Sequence, residues 1–235
     1  MIHTYLDETL SFELIYKNRK TVGIYIDFYG NVEVQAPKGT SEEKVLSVIE
    51  EKWGLIKQRI KEMKDRLAGP KEVLYEQGER FLYLGKDYPI LISEDKELKK
   101  DKVVFEQGTL YIYVKQFDKE QIQKALKRFY YQQCKRLVEK RIQYHQNQFK
   151  IKPRSIRISD SKTTWGTCDG LRQLTFNWKL AMAPLEVIDY VVVHEMCHMV
   201  HLNHDRSFWR LVGKIMPDYE QRESWLALSQ WRMDV

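Results

Sequence analysis

The residues best suited to chemistry in this 235-residue chain are histidines gathered in one stretch of its last quarter. His194, Glu195 and His198 spell His-Glu-x-x-His, and His204 follows shortly after. Positions four apart on an α-helix share one face, so the imidazoles of His194 and His198 can bind one Zn²⁺ ion together. The glutamate between them can take a proton from a zinc-activated water. The spacing therefore predicts a hydrolase with Glu195 as general acid/base.

A catalytic zinc site needs a third protein ligand and one open position, and His204 is the leading candidate for that ligand. A helix that ends near residues 202–203 would let the chain turn and bring His204 back to the metal. Asn203 tolerates the left-handed conformation that such a helix end requires. Asp205 is then the predicted N-cap of a further helix over residues 206–215.

Other assignments of these residues stay open on the sequence alone. The third ligand could instead be His201 or a later carboxylate, with Glu220 and Glu223 the nearest. Cys197 lies on a different helical face from the ligands, so we interpret it as a small buried residue. A structural alternative is a buried helix whose histidines are satisfied by hydrogen bonds.

The elements around the motif are suited to positioning it. Pro184 is favoured as the first helical residue, and Leu185, Ile188 and Val192 form an apolar stripe that predicts a packed helix. Two strands are predicted before it, over residues 156–159 and 174–178, with a turn at Asp169-Gly170. His-Glu-x-x-His with one metal suits amide hydrolysis, so a peptide or protein is the expected substrate. In zinc peptidases a strand beside the metal cleft hydrogen-bonds an extended peptide, and the segment before this helix is a candidate for that edge.

The chain resembles the YgjP-type zinc metallopeptidases, a family related to the WLM and SprT-like peptidases. The resemblance rests on His194-Glu195-Met196-Cys197-His198, Asn203-His204, Ser207-Phe208-Trp209, Thr164-Trp165-Gly166-Thr167-Cys168, Asn177-Trp178-Lys179-Leu180, Ala183-Pro184 and Met216-Pro217-Asp218-Tyr219. It implies His194, His198 and His204 as metal ligands and Glu195 as the catalytic acid/base. One departure is that the family usually has arginine before Trp-Gly and serine after it, where this chain has Thr164 and Thr167.

The hydrophobic pattern predicts an α+β fold. A β-rich N-terminal region over residues 1–116 contains one amphipathic helix, which starts at a Thr40/Glu43 capping box and ends at Gly69-Pro70. A zincin-like catalytic domain over residues 117–235 carries the His-Glu-x-x-His helix; the alternative is that the two regions form one compact unit. A long helix over residues 118–149 opens this second part, and no internal repeat is evident.

Composition bounds the location and the partners. The three cysteines are widely spaced, no signal peptide is apparent and no apolar run approaches 18 residues, so we expect a cytoplasmic protein with no membrane partner. The net charge of +6 and the basic residues of helix 118–149 allow a weak contact with nucleic acid or a nucleotide. The alternative functions are therefore a metal-dependent nucleotide or phosphate-ester hydrolase and a zinc-stabilised nucleic-acid-binding module.

Overall fold

The computed structural model describes residues 1–27, 29–68, 73–229 and 232–235. Contacts within the chain divide it into two compact units, Met1–Lys71 and Glu72–Val235, and both mix strands with helices. This division differs from the boundary predicted after residue 116. The strands between residues 80 and 114 share a hydrophobic core with the helix that follows them, so they belong to the second unit.

The first unit is a four-stranded sheet followed by two helices. Its elements are β1 (Ile2–Tyr5), β2 (Glu8–Lys17), β3 (Gly23–Ile26), β4 (Val32–Pro37), α1 (Glu42–Glu51) and α2 (Trp53–Ala68). Alternation along β2 and β4 turns Phe12 and Val34 into a core shared with Ile49 of α1. The N-cap of α1 is Ser41, whose hydroxyl accepts from the backbone N–H of Lys44, rather than the predicted Thr40. The single helix predicted here is two helices, and its predicted end at Gly69-Pro70 lies outside the described residues.

The second unit contains two sheets and four helices among its described residues. Its elements are β5 (Arg80–Tyr83), β6 (Lys86–Glu94), β7 (Lys102–Glu106), β8 (Thr109–Val114), α3 (Lys119–His145), β9 (Ser155–Ser159), β10 (Gly166–Cys168), β11 (Gln173–Asn177), α4 (Leu185–His198), α5 (Arg206–Ile215) and α6 (Tyr219–Ser229). Asp118 caps α3, as predicted, by accepting from the backbone N–H of Glu120. One continuous core joins β5, β6, β8, α3 and α4.

The larger sheet of the second unit repeats the topology of the first unit. Strand orders are β1-β2-β4-β3 and β5-β6-β8-β7, each with a parallel central pair and antiparallel outer pairs. In both sheets the first hairpin turns through two residues with positive φ, Leu6-Asp7 and Leu84-Gly85. No repeat is evident in the sequence, so the repeat that the structure shows is one of topology. Alternating apolar residues define a strand but not its neighbours, so the sequence pattern does not reveal this repeat.

The smaller sheet has the order β10-β11-β9, which leaves β10 at one edge. Strands β10 and β11 form the predicted hairpin, and the Asp169 carboxylate accepts from the backbone N–H groups of Leu171 and Gln173 at its turn. Strand β10 packs against α4. This edge strand and the C-terminal half of α4 therefore lie side by side.

Two sets of polar contacts fix α4 within the second unit. In the 3-10 turn just before the helix, the carbonyls of Ala181 and Met182 accept from the backbone N–H groups of the Leu84-Gly85 turn, at 3.0 and 2.8 Å. Further along, the buried Asp189 carboxylate accepts from Arg141 and lies 3.2 Å from the His145 ring, both on α3. Breaking such a buried charge network is costly, so α4 is a rigid support. Among the described residues, no helix is both long and apolar enough to cross a membrane.

Candidate active site

Three imidazoles converge at the C-terminal end of α4. The Nε2 atom of His204 lies 2.9 Å from Nε2 of His194 and 3.1 Å from Nε2 of His198. One ring nitrogen from each of the three residues lies within 4.8 Å of the others. Three nitrogens bound tetrahedrally at 2.0–2.1 Å from one ion are about 3.3 Å apart. The observed separations therefore fit three ligands of a single metal ion such as Zn²⁺.

The turn that follows α4 brings His204 to this point, but it begins earlier than predicted. The helix ends at His198 with Met199 as its C-cap, and the backbone N–H groups of Val200 and His201 both donate to the carbonyl of Cys197. Asn203 is not among the described residues with positive φ, so the left-handed helix end predicted there is wrong. A tight turn at residues 199–201 redirects the chain without it.

The helix after the turn begins as predicted. Asp205 is the N-cap of α5, and its carboxylate accepts from the backbone N–H groups of Ser207 and Phe208. The cap fixes the conformation of the residue next to His204. As a result, the His204 ring is held between the end of one helix and the start of the next.

His194 and His198 have the protonation state that metal binding requires. The Nδ1 atom of His198 lies 3.0 Å from the carbonyl oxygen of His201, so this ring donates through Nδ1 and keeps the lone pair of Nε2 toward the other rings. Burial, followed by the nearby His198 and His204, lowers the pKa of His194 to about 3. Burial also lowers the pKa of His198. Both rings are therefore neutral near pH 7.

Aromatic residues of α5 hold the three rings in place. The fully buried Phe208 stacks on His198 at 4.4 Å between ring centroids and meets His194 and His204 edge-on at 4.9 and 4.7 Å. Trp209 packs on His194 and His204 from 5.8 and 5.7 Å. Ser207-Phe208-Trp209 is one of the motifs that the chain shares with the family, and its role was not predicted from the sequence. The available signal was the position of His204 directly before the predicted N-cap Asp205, because a residue there often packs on the fourth helical residue, which is Trp209.

Glu195 points its carboxylate at the edge strand. The side chain is only 5% exposed, and its Oε2 atom has no hydrogen-bond partner among the described residues. Burial raises the pKa of this carboxyl group to about 8. Gly166 of β10 lies directly against it, since a Cβ atom at that position would be 2.6 Å from both Cγ and Oε1 of Glu195. The glycine of the Trp-Gly motif thus leaves room for the Glu195 side chain, a role that the sequence alone did not predict.

The alternative ligands lie elsewhere. Among the described residues, the potential metal-binding group at this place consists of His194, His198 and His204 alone. Glu223 instead pairs with the hydroxyl of Tyr190, and Glu220 with that of Tyr219. Cys197 is fully buried, and burial raises the pKa of its thiol to about 12.

The basic face of α3 is largely occupied by contacts within the protein. Lys127 pairs with Asp160 at 2.6 Å and Lys124 with Glu120 at 3.1 Å. Arg128 donates to the carbonyl of Asp101, and Arg141 pairs with Asp189. These contacts leave less free charge for a phosphate backbone than the sequence suggested, and the nucleic-acid contact stays a prediction.

One of three comparisons with known proteins identifies the family of this chain. The sequence profile described as "YgjP-like, metallopeptidase domain" matches residues 20–229. No curated protein sequence matches the chain significantly. Among solved structures, the crystal structure of the metallopeptidase zymogen of Pyrococcus abyssi abylysin is similar over 42% of this chain and 99% of its own, with 21% identity and a TM-score of 0.38, a likeness that carries no argument by itself. Because the profile spans most of the sequence, the chain belongs to the YgjP-like metallopeptidase family, whose members are metal-dependent peptidases.

Proposed function

We propose that this protein is a zinc metallopeptidase with a zincin-like catalytic domain, in which His194, His198 and His204 bind the metal and Glu195 is the general base. The observation that carries the proposal is the convergence of three imidazoles beside a buried carboxylate whose Oε2 atom has no partner among the described residues. Three nitrogen ligands leave one tetrahedral position open for water or substrate, which is the arrangement of catalytic rather than structural zinc.

The residues divide the chemistry between them. A bound Zn²⁺ would supply Lewis acidity, lowering the pKa of a water and polarising the carbonyl oxygen of the scissile bond. Glu195 takes the proton from the attacking water and then delivers it to the leaving amine. The burial of Glu195 favours both proton transfers. Burial raises the pKa of its carboxyl group to about 8, and a nearby cation would lower that pKa again toward about 7.

The edge strand explains why a peptide is the favoured substrate. Strand β10 pairs with β11 on one side, and no strand of the described chain pairs with its other side. An extended peptide can add to such an edge through main-chain hydrogen bonds. Gly166 allows that edge to approach Glu195 closely. A nucleotide or phosphate ester lacks the repeating N–H and C=O groups that this edge would recognise.

The proposal is tested by loading the purified protein with zinc and incubating it with a mixed peptide library beside a panel of phosphate esters. We expect peptide cleavage, detected by mass spectrometry, and no phosphate release. Glu195→Gln should keep the metal and lose cleavage, whereas Glu186→Gln, an exposed glutamate on the same helix, should retain both. Cleavage by Glu195→Gln at the parent rate would contradict the role of Glu195.

A further inference from the structure

A cavity of about 960 Å³ opens at the N-terminal end of the edge strand. It lies between α3, the loop over residues 160–165 and the chain at residues 177–179. Trp165 is part of its lining, and the next residue, Gly166, is both the first residue of β10 and the neighbour of Glu195. The lining of the cavity therefore reaches the residue directly before the edge strand on which a substrate would be held.

The charged side chains around the cavity are mostly lysines. Three of them already have an acidic partner: Lys124 pairs with Glu120, Lys127 with Asp160 and Lys179 with Asp234. The Lys179–Asp234 pair, at 3.2 Å, is weak because the Asp234 side chain is 64% exposed to water. Lys162 is exposed and has no ion pair among the described residues. Lys162 is therefore the lysine of the cavity that can pair with an acidic group without displacing an acid already there.

A rigid floor supports these lysines. Trp178 is 1% exposed and stacks on Tyr131, and the ammonium groups of Lys127 and Lys179 each lie 5.7 Å from its ring. The buried Asn177 amide donates to the carbonyls of Ser161 and Thr164, at 2.8 and 3.1 Å. These contacts fix the loop that carries Lys162. A ligand would therefore meet a preformed site, which lowers the entropic cost of binding.

Strand direction relates the cavity to the substrate. The favoured antiparallel pairing makes a peptide on β10 run from the level of Cys168 toward that of Gly166 and then past Trp165. Residues after the scissile bond, which sits beside Glu195, would thus approach the loop over residues 160–165. At about 3.3 Å per residue, the second or third residue after the bond reaches the cavity.

We infer that this cavity is a specificity subsite for an acidic side chain, aspartate or glutamate, two or three residues C-terminal to the scissile bond. The inference rests on the proposed peptidase function for its orientation. It adds a substrate preference to that function: peptides with a downstream carboxylate should be better substrates than those with a neutral amide of the same shape.

The test uses a peptide cleaved by the zinc-loaded protein and its versions with Asp, Asn or Lys at the second or third downstream position. We expect kcat/KM for the Asp peptide to exceed that for the Asn peptide about fivefold, as for a partly exposed ion pair. The ratio should fall toward one in Lys162→Ala and in the double variant Lys162→Ala/Lys179→Ala. The matched control is Lys152→Ala, an exposed lysine outside the cavity, which should keep the ratio.

Equal kcat/KM values for the Asp and Asn peptides would overturn the subsite while leaving the peptidase intact. If no peptide is cleaved, fluorescence anisotropy of labelled peptides measures their dissociation constants, and the ratio of these constants for the Asn and Asp peptides replaces the ratio of kcat/KM values. A lysine-dependent preference for Asp in binding would then uphold the subsite although the proposed function had failed. A single-stranded oligonucleotide that binds more tightly than the Asp peptide, and loses affinity in Lys162→Ala, would overturn the inference in favour of nucleic acid.

Discussion

Replacing Gly166 by alanine tests whether the edge strand and the general base are built around each other. The added Cβ would lie 2.6 Å from Cγ and Oε1 of Glu195, and ordinary van der Waals contact begins at 3.4 Å. One group must therefore move by about 0.8 Å. Because Glu195 is only 5% exposed, its carboxylate has little free space to enter, and we expect it to be displaced from its position beside the ligands.

The expected consequence is a loss of rate rather than of metal. A misplacement of about 1 Å can reduce turnover about 100-fold, so a shift of about 0.8 Å should lower kcat by between about 10-fold and 100-fold. That range corresponds to about 1.4–2.7 kcal/mol of barrier. Overpacking should also reduce the free energy of unfolding by about 1–3 kcal/mol. Zinc stoichiometry should stay unchanged, because the three atoms nearest the new methyl group all belong to Glu195 and not to an imidazole.

The matched control is Gly170→Ala, in the turn of the same hairpin, where an added Cβ has no heavy atom within 4 Å. Both variants are assayed for peptide hydrolysis, metal content and thermal unfolding, well below their unfolding midpoints. Gly166→Ala with the kcat of Gly170→Ala would refute the idea that this glycine exists to admit the carboxylate.

Three further changes separate contacts that the structure keeps distinct. His204→Ala should weaken zinc retention in a chelator competition, and His201→Ala should barely change it; loss in His201→Ala alone would overturn the ligand assignment. Gly85→Ala should lower the free energy of unfolding more than Gly78→Ala does in chemical denaturation. Both glycines have φ near +80°, but only at Gly85 would the added Cβ meet another residue, Pro184, at 2.6 Å. Equal losses would show that backbone strain alone is responsible. Asp160→Asn should lower Tm at neutral pH, because a hydrogen bond from Lys127 lowers the pKa of the Asp160 carboxyl group below the ordinary 3.8. The difference in Tm between the parent and the variant should close as the pH falls through that lowered pKa. A difference in Tm that does not depend on pH would contradict this.

The sequence predicted those parts of the molecule whose signal is local. Helical spacing predicted that His194 and His198 share a face, and the capping preference of aspartate predicted the start of α5 at Asp205. The convergence of His204 was predicted for an incomplete reason, because the helix ends at His198 and not near Asn203. The apolar periodicity of a sequence predicts that a helix ends, but it does not predict the last helical residue closely.

What the sequence left open depends on contacts between distant segments. The pairing of Gly166 with Glu195 joins residues 29 positions apart, and no local pattern marks it. The cavity beside Lys162 arises only when α3 meets the loop after β9. The division of the chain near residue 71 likewise follows from packing between the strands of residues 80–114 and α3, which alternation along each strand does not encode.

The most direct test of the central claim is X-ray absorption at the zinc edge of the purified, zinc-loaded protein. Three imidazole ligands from His194, His198 and His204 predict zinc surrounded by nitrogen and oxygen at about 2.0–2.1 Å, with outer scattering typical of three imidazole rings. The same measurement on His204→Ala should lose one ring. Two results would contradict the proposed site. One is a sulfur ligand at about 2.3 Å from zinc, from a cysteine such as Cys168 or Cys197 or from a methionine. The other is an unchanged spectrum in His204→Ala.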